Sequence, residues 1–244
     1  MYKNEFDNYL KQNKKFKSYM FYGQSMFLVE QYSLAIAQSF GENDEIEKLY
    51  FEEYNFKYAK DKLLQSSLFS SNNILLIKVE KKLPKKEVDT LIEACNANPD
   101  STLIFACLGD GDFKTMESSF SLKTNSVAVR FFQPTDTEAI RFLEYEAKLL
   151  EMQYEISALN HLYFMHKNDL ALCVNDLKKL AILDQLITVN LVDANCFGIG
   201  VINFEDFLHD LISGKDVGDD LSLILEEGMN EIFLLTQVTS FVQQ

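Results

Sequence analysis

At 244 residues, 47% of them hydrophobic and with a mean hydropathy of −0.10, the chain is long enough to bury a sizeable core and too apolar for a disordered polypeptide. No apolar run approaches the ~20 residues of a membrane span, and four cysteines without a C-x-x-C pair exclude a disulfide scaffold or a zinc ribbon. The net charge of −14 is uneven: residues 1–134 hold 17 basic and 18 acidic side chains, residues 135–244 hold 6 and 19, so any nucleic-acid contact is expected to fall in the first half and a dedicated DNA-gripping module is not expected.

Met1–Lys17 is charged where a secretion signal needs an apolar run, which points to a reducing, cytoplasmic setting, and no element is predicted there. From Ser18 onward short apolar runs alternate with amphipathic stretches, the pattern of a mostly parallel sheet flanked by helices. The runs predict strands at Ser18–Tyr22, Lys48–Phe51, Asn73–Val79, Ser101–Leu108 and Ser126–Phe132. Helices are predicted between them at Gln24–Phe40, Phe56–Gln65, Pro84–Asn96 and roughly Asp112–Phe120, with Pro84 in a first helical turn.

After Pro134 the apolar period becomes about 3.6, which marks a domain boundary. Three helices are expected, Glu138–Met152 capped by Thr135 or Thr137, Ala158–His166 capped by Ser157, and Leu170–Leu183 started by Asn168 or Asp169. A glycine-bearing connector, Phe197–Val201, leads to helical patterns at Phe204–Ser213, Asp219–Glu227 and Asn230–Gln243. The expected division is therefore 1–134, 135–197 and 198–244. A domain of ~45 residues is marginal, so the third module is expected to be incomplete.

The turn after the first strand, Phe21-Tyr22-Gly23-Gln24-Ser25-Met26, has one glycine and no Gly-Lys-Ser/Thr. Cradling phosphates takes several glycines, a lysine and a magnesium-binding hydroxyl, so ATP hydrolysis is not expected at this turn. His161 and His166 are five apart, outside metal-binding register on a helix, and His209 stands alone. The four cysteines sit in apolar patterns and read as core. Asp110-Gly111-Asp112 lacks the remaining ligands of a calcium loop. No cofactor or metal is implied. Lys78, Lys81 and Lys82, with Lys85 and Lys86, form either a solvated strand-to-helix loop or a phosphate contact.

One segment stands out, Gln65-Ser66-Ser67-Leu68-Phe69-Ser70-Ser71-Asn72-Asn73, where an apolar pair is flanked by small polar residues that favour turns. Leu68 and Phe69 either tuck onto the core or form an apolar anchor for a partner's pocket.

Together with Tyr19–Glu30, Ser67-Leu68-Phe69 before Asn73–Val79, the helix Asn168–Leu180 followed by Ile187-Thr188-Val189, and Asn203–Leu208 leading to Gly214-Lys215, the sequence resembles the delta subunit of the bacterial DNA polymerase III clamp loader. The resemblance implies an AAA+-like (RecA-like) α/β domain without a phosphate loop, then a three-helix lid and the start of an all-α collar. It implies a subunit without catalysis of its own that binds a sliding clamp through Leu68 and Phe69, with Gln65, Ser66 and Ser67 on the rim, and opens the ring for loading on DNA. The implied partners are the clamp, the loader's ATPase and delta-prime subunits, and primed DNA. Relatives with a bulky methionine at Ser66 make that rim contact a point of departure. Two other readings remain open: an ATP-hydrolysing loader-like subunit, and an unrelated α/β interaction protein whose Leu-Phe pair is core.

Overall fold

Five apolar runs form one all-parallel sheet among the residues that the computed structural model describes, which are 1–43, 45–65, 72–109, 111–196, 204–226 and 231–242. The strands are β1 (Ser18–Gly23), β2 (Ile46–Tyr50), β3 (Asn73–Val79), β4 (Ser101–Cys107) and β5 (Ser126–Phe131), in the order β2-β3-β4-β1-β5. In register Leu75 stands beside Leu103, Ile77 beside Phe105, and Tyr19 beside Ile104. The central strands are apolar on both faces because helices cover both.

The helices of this half are α1 (Lys3–Lys11), α2 (Met26–Gln38), α3 (Phe56–Leu64), α4 (Lys85–Ala97) and the single turn α5 (Lys114–Glu117). Strand alternation sorts the core into two layers. Leu75, Ile77, Leu103 and Phe105 pack with Leu63 of α3 and with Val88, Leu91 and Cys95 of α4. Ile74, Leu76, Ile104 and Ala106 pack on the other face with Phe6 of α1 and with Leu28, Val29 and Ile36 of α2.

Several boundaries differ from the sequence reading, each for a local reason. β2 starts two residues earlier because Ile46 pairs with Ile74, and it ends at Tyr50 because the chain then turns. The α4 helix starts at Lys85, with Pro84 as its N-cap in an extended conformation rather than inside the first turn. The stretch 112–120 forms only α5, followed later by a 3-10 turn at Leu122–Thr124. α1 had no counterpart in the prediction: Phe6 is its one buried side chain, and it is ordered by tertiary contact, edge-on to Phe21 at 5.5 Å and to Tyr19 at 6.3 Å.

The chain divides into two compact units, Met1–Thr135 and Asp136–Gln244. The second contains α6 (Asp136–Leu149), α7 (Ile156–Met165), α8 (Leu170–Ala181), α9 (Val189–Asn195), α10 (Phe204–Ile212), α11 (Gly218–Glu226) and α12 (Glu231–Val242). α9 is a fourth helix where three were expected up to residue 197, a seven-residue segment too short for periodicity to show and capped by Thr188. Asp169 caps α8 as anticipated, accepting from the amides of Ala171 and Leu172 at 2.8 and 3.1 Å. Ser157 does not cap α7; it lies within the helix, whose N-cap position is Glu155.

Inside this unit the His166 ring meets the Asp176 carboxylate at 2.7 Å, both side chains buried, and Lys179 Nζ donates to the same carboxylate at 2.5 Å. Burial pushes the Asp176 pKa up, but the hydrogen bonds from Lys179 and His166 outweigh it and leave the group below its ordinary value. His161 pairs with Asp193 at 2.6 Å, and His209 lies edge-on to Phe241. A separate cluster of Phe207, Leu208, Ile224 and Leu234 joins α10, α11 and α12.

Candidate functional site

The segment that drew attention in the sequence is entered from α3 and left through β3. Residues 66–71, and with them Ser66, Ser67, Leu68 and Phe69, lie outside the described residues. Their two stems are described, and polar side chains fasten both.

Asn55 caps the start of α3, accepting from the Tyr58 amide at 3.0 Å, while Ala59 and Leu63 bury its inner face. A helix leaves its last carbonyls without intrahelical partners, and no glycine supplies the usual cap here. Side chains satisfy them instead. Asn73 Nδ2 donates to the Lys62 carbonyl at 2.5 Å and to Ser101 Oγ at 3.0 Å, and Ser101 Oγ donates in turn to the Leu63 carbonyl at 2.7 Å. Asn98 Nδ2 donates to the carbonyls of Leu63 and Gln65, each at 3.0 Å, while its Oδ1 accepts from the Asp100 amide at 3.1 Å. On the far stem, Asn72 Nδ2 donates to the Phe40 carbonyl.

Asn73, Asn98 and Ser101 are all buried. Buried polar groups carry a desolvation penalty unless satisfied, so this network fixes where residue 65 ends and residue 72 begins. Gln65 itself is extended, with φ −69 and ψ 121, and exposed beside an open depression lined by Tyr58, Asp61, Lys62 and Leu64. The sequence reading named Gln65 but missed the three buried residues that anchor it. For two of them the signal was a polar residue opening a mainly apolar strand, Asn73 of β3 and Ser101 of β4; Asn98, in the turn before β4, carried none.

A substitution at the anchor separates its contribution from that of residues 66–71. Asn98→Ala leaves the Gln65 carbonyl without its Asn98 donor, so it is expected to lower stability by about 1–3 kcal/mol. Thermal unfolding measures this directly. An unchanged melting temperature would show that the network is not holding the stem.

At the other end of the sheet, Gly23 ends β1 with φ +141 and pairs with Phe131 of β5. A Cβ there would stand 2.0 Å from the Phe131 carbonyl oxygen. Only Gln24 and Ser25 link β1 to α2. The Gln24 amide donates to the Phe131 carbonyl at 2.8 Å, and Ser25 Oγ accepts from the Leu28 amide at 3.4 Å, so both amides are already engaged.

Of the three lysines singled out, Lys78 on β3 is half-buried, paired with Glu30 of α2 at 2.5 Å and set over the Tyr50 ring at 5.2 Å. Lys81 and Lys82 are exposed. All four cysteines are buried free thiols, and burial pushes those of Cys173 and Cys196 up to about 12. Asp112 caps its own turn by accepting from the Lys114 amide at 3.3 Å, and Asp110 lies outside the described residues. Among the described residues, no group of three His, Cys, Asp or Glu side chains is arranged to hold a metal, and no helix is long and apolar enough to cross a membrane.

Residues 19–132 match the family model of the DNA polymerase III delta subunit, and residues 135–194 match a second model described as a middle domain. A protein of Helicobacter pylori strain J99 is 26% identical over 262 residues, covering all of this chain and 77% of its own length. One from strain 26695 is 26% identical over 264 residues with the same coverage. Among solved structures, the DNA clamp loader delta protein of Bacillus subtilis superposes with a TM-score of 0.60 at 15% identity, over 97% of this chain and 75% of that one. A point variant of Thermotoga maritima RuvB superposes with a TM-score of 0.51 at 11% identity, over 92% and 78%. The chain shares its fold with these two structures.

Proposed function

We propose that this delta-like chain, whose residues 19–132 match the DNA polymerase III delta-subunit family, works as a clamp-loader subunit that binds a ring-shaped sliding clamp and opens it for loading on primed DNA. The observation that carries the reading is the family match, which spans the whole segment 65–73. In this reading Leu68 and Phe69 enter an apolar pocket on the clamp, and Gln65, Ser66 and Ser67 line its rim. The anchored stems support it physically. An apolar anchor presented from fixed ends loses less conformational entropy on binding than one on a loose loop.

No bond is made or broken by such a subunit. A ring whose closed interface is strained opens when the bound form favours the relaxed subunit, because a ligand shifts an equilibrium only by its differential affinity for the two states. Hydrolysis then falls to ATPase partner subunits. The two-residue link at Gln24–Ser25 favours this division of labour, since the Gln24 amide is spent on Phe131 and the Leu28 amide on the helix cap. Helices α6–α9 take the place of a lid, and α10–α12 that of a collar joining the other loader subunits, delta-prime among them, in the cytoplasm.

Two measurements test the reading. Co-elution of the full chain with the clamp of the same organism is expected in size-exclusion chromatography, and two separate peaks at micromolar concentrations would overturn it. Isothermal calorimetry with ATP and magnesium is expected to show no saturable heat; saturable binding would transfer the chain to the ATP-hydrolysing class.

A further inference from the structure

Where β2 ends, the chain turns on an unusual residue. Phe51 has φ +45, a left-handed conformation that is costly for a bulky side chain, yet the residue is 40% exposed and Tyr50 beside it 39%. The turn is built to hold this geometry. The Tyr50 amide donates to the Glu53 carboxylate at 3.0 Å, and the Tyr54 amide to the Phe51 carbonyl at 3.2 Å. Glycine or asparagine would adopt the conformation with less strain. A half-exposed ring on a strained backbone adds little to folding, so its presence calls for a role outside the fold.

Its surroundings indicate which. Tyr50 is in register with Lys78, whose ammonium, held by Glu30, lies 5.2 Å from the Tyr50 ring centroid. The residues that follow that strand end include the exposed Lys81 and Lys82. Residues 46–86 carry nine basic and five acidic side chains, whereas the rest of the chain carries 14 and 32. Glu52, Glu53 and Glu80 are also exposed at this edge and offset its lysines, which leaves ring stacking as the larger source of affinity. The place is the carboxyl end of parallel strands, where open α/β sheets bind ligands. Exposed rings that accept base faces, beside ammonium groups that follow phosphates, are the combination by which proteins hold single-stranded nucleic acid.

We propose that Tyr50 and Phe51, with Lys81 and Lys82, form a platform that stacks the bases of single-stranded DNA at the carboxyl edge of β2 and β3. The acceptance of a strained turn is then the cost of displaying a ring at a fixed angle. This reading does not depend on the clamp-binding proposal, which concerns the opposite, amino-terminal end of β3.

Fluorescence anisotropy of the full chain with labelled oligodeoxythymidylate, over a salt series, tests it. Wild-type protein is expected to bind at low salt. Phe51→Gly and Phe51→Asn are each expected to weaken binding about tenfold or more, and Phe51→Tyr to keep it. Phe51→Gly is also expected to raise the unfolding temperature, a gain that a merely structural ring would not show. Lys81→Ala with Lys82→Ala should flatten the salt dependence, the log–log slope falling by roughly 0.7 for each phosphate no longer neutralised. No binding by the wild type, or wild-type affinity in both Phe51 variants, would overturn the proposal. Clamp co-elution of Phe51→Gly is expected to be unchanged, so loss of oligonucleotide binding with intact clamp binding counts for the platform. Loss of clamp binding by Leu68 and Phe69 variants that still bind the oligonucleotide bears on the other site alone.

Discussion

Replacing Leu68 and Phe69 together by alanine is expected to weaken clamp binding by at least about 100-fold while leaving the circular dichroism spectrum and unfolding temperature unchanged. Burying each of these side chains in a partner contributes roughly 1.5–3 kcal/mol by area, so losing both removes two or more decades of affinity. Binding to an immobilised clamp measures the first quantity and thermal melting the second. The pair of readouts discriminates the open readings. If the double variant unfolds, the two residues belong to the core and the interaction-protein alternative gains. If it folds and binds as the wild type does, the clamp contact lies elsewhere. Wild-type binding should also change little with ionic strength, because apolar anchors are not screened; a steep salt slope would assign the contact to charge.

The second large effect is on stability. Gly23→Ala places a Cβ 2.0 Å from the Phe131 carbonyl oxygen and 2.7 Å from the Phe131 nitrogen, in a conformation with φ +141. The obstruction is backbone, so no side chain can swing aside. Strand β1 would have to part from β5 near this pair, where Gly23 and Phe131 now face each other in register. Overpacking and positive-φ strain together are expected to cost about 2–6 kcal/mol. Chemical denaturation of the variant measures the loss. A midpoint within error of the wild type would mean that the strand end is far more pliable than its pairing implies. The glycine that a nucleotide-binding turn would use to approach phosphate is used here for strand contact.

Four of the five strands were legible because they are buried on both faces and read as nearly unbroken apolar runs, as in Ile74–Ile77 and Leu103–Ala106, whereas β2, half-exposed at the edge, was placed two residues late. What escaped had no such run. α1 buries a single phenylalanine among charged residues, and α9 is one cap and two turns long. Ser157 has the chemistry of a cap but sits one residue inside the helix, a distinction that spacing does not carry. At the candidate site the exposed end, Gln65, was visible as the edge of a polar run. The anchors Asn98 and Ser101 were not, because they reach Gln65 and Leu63 only once strands β3 and β4 lie side by side. Phe51 was invisible for another reason: its backbone conformation is set by Glu53 and Tyr54, and no residue preference announces it.

The amide side chains of Asn73 and Asn98 bond to groups outside residues 66–71, on α3, on β4 and on the turn before it. They therefore act as a socket whose own wiring is independent of what is plugged in. Evolution can rewrite that insert, in length as well as in composition, without renegotiating the fold. An engineer could do the same, exchanging it for the equivalent stretch of a distant relative while leaving Asn73, Asn98 and Ser101 in place.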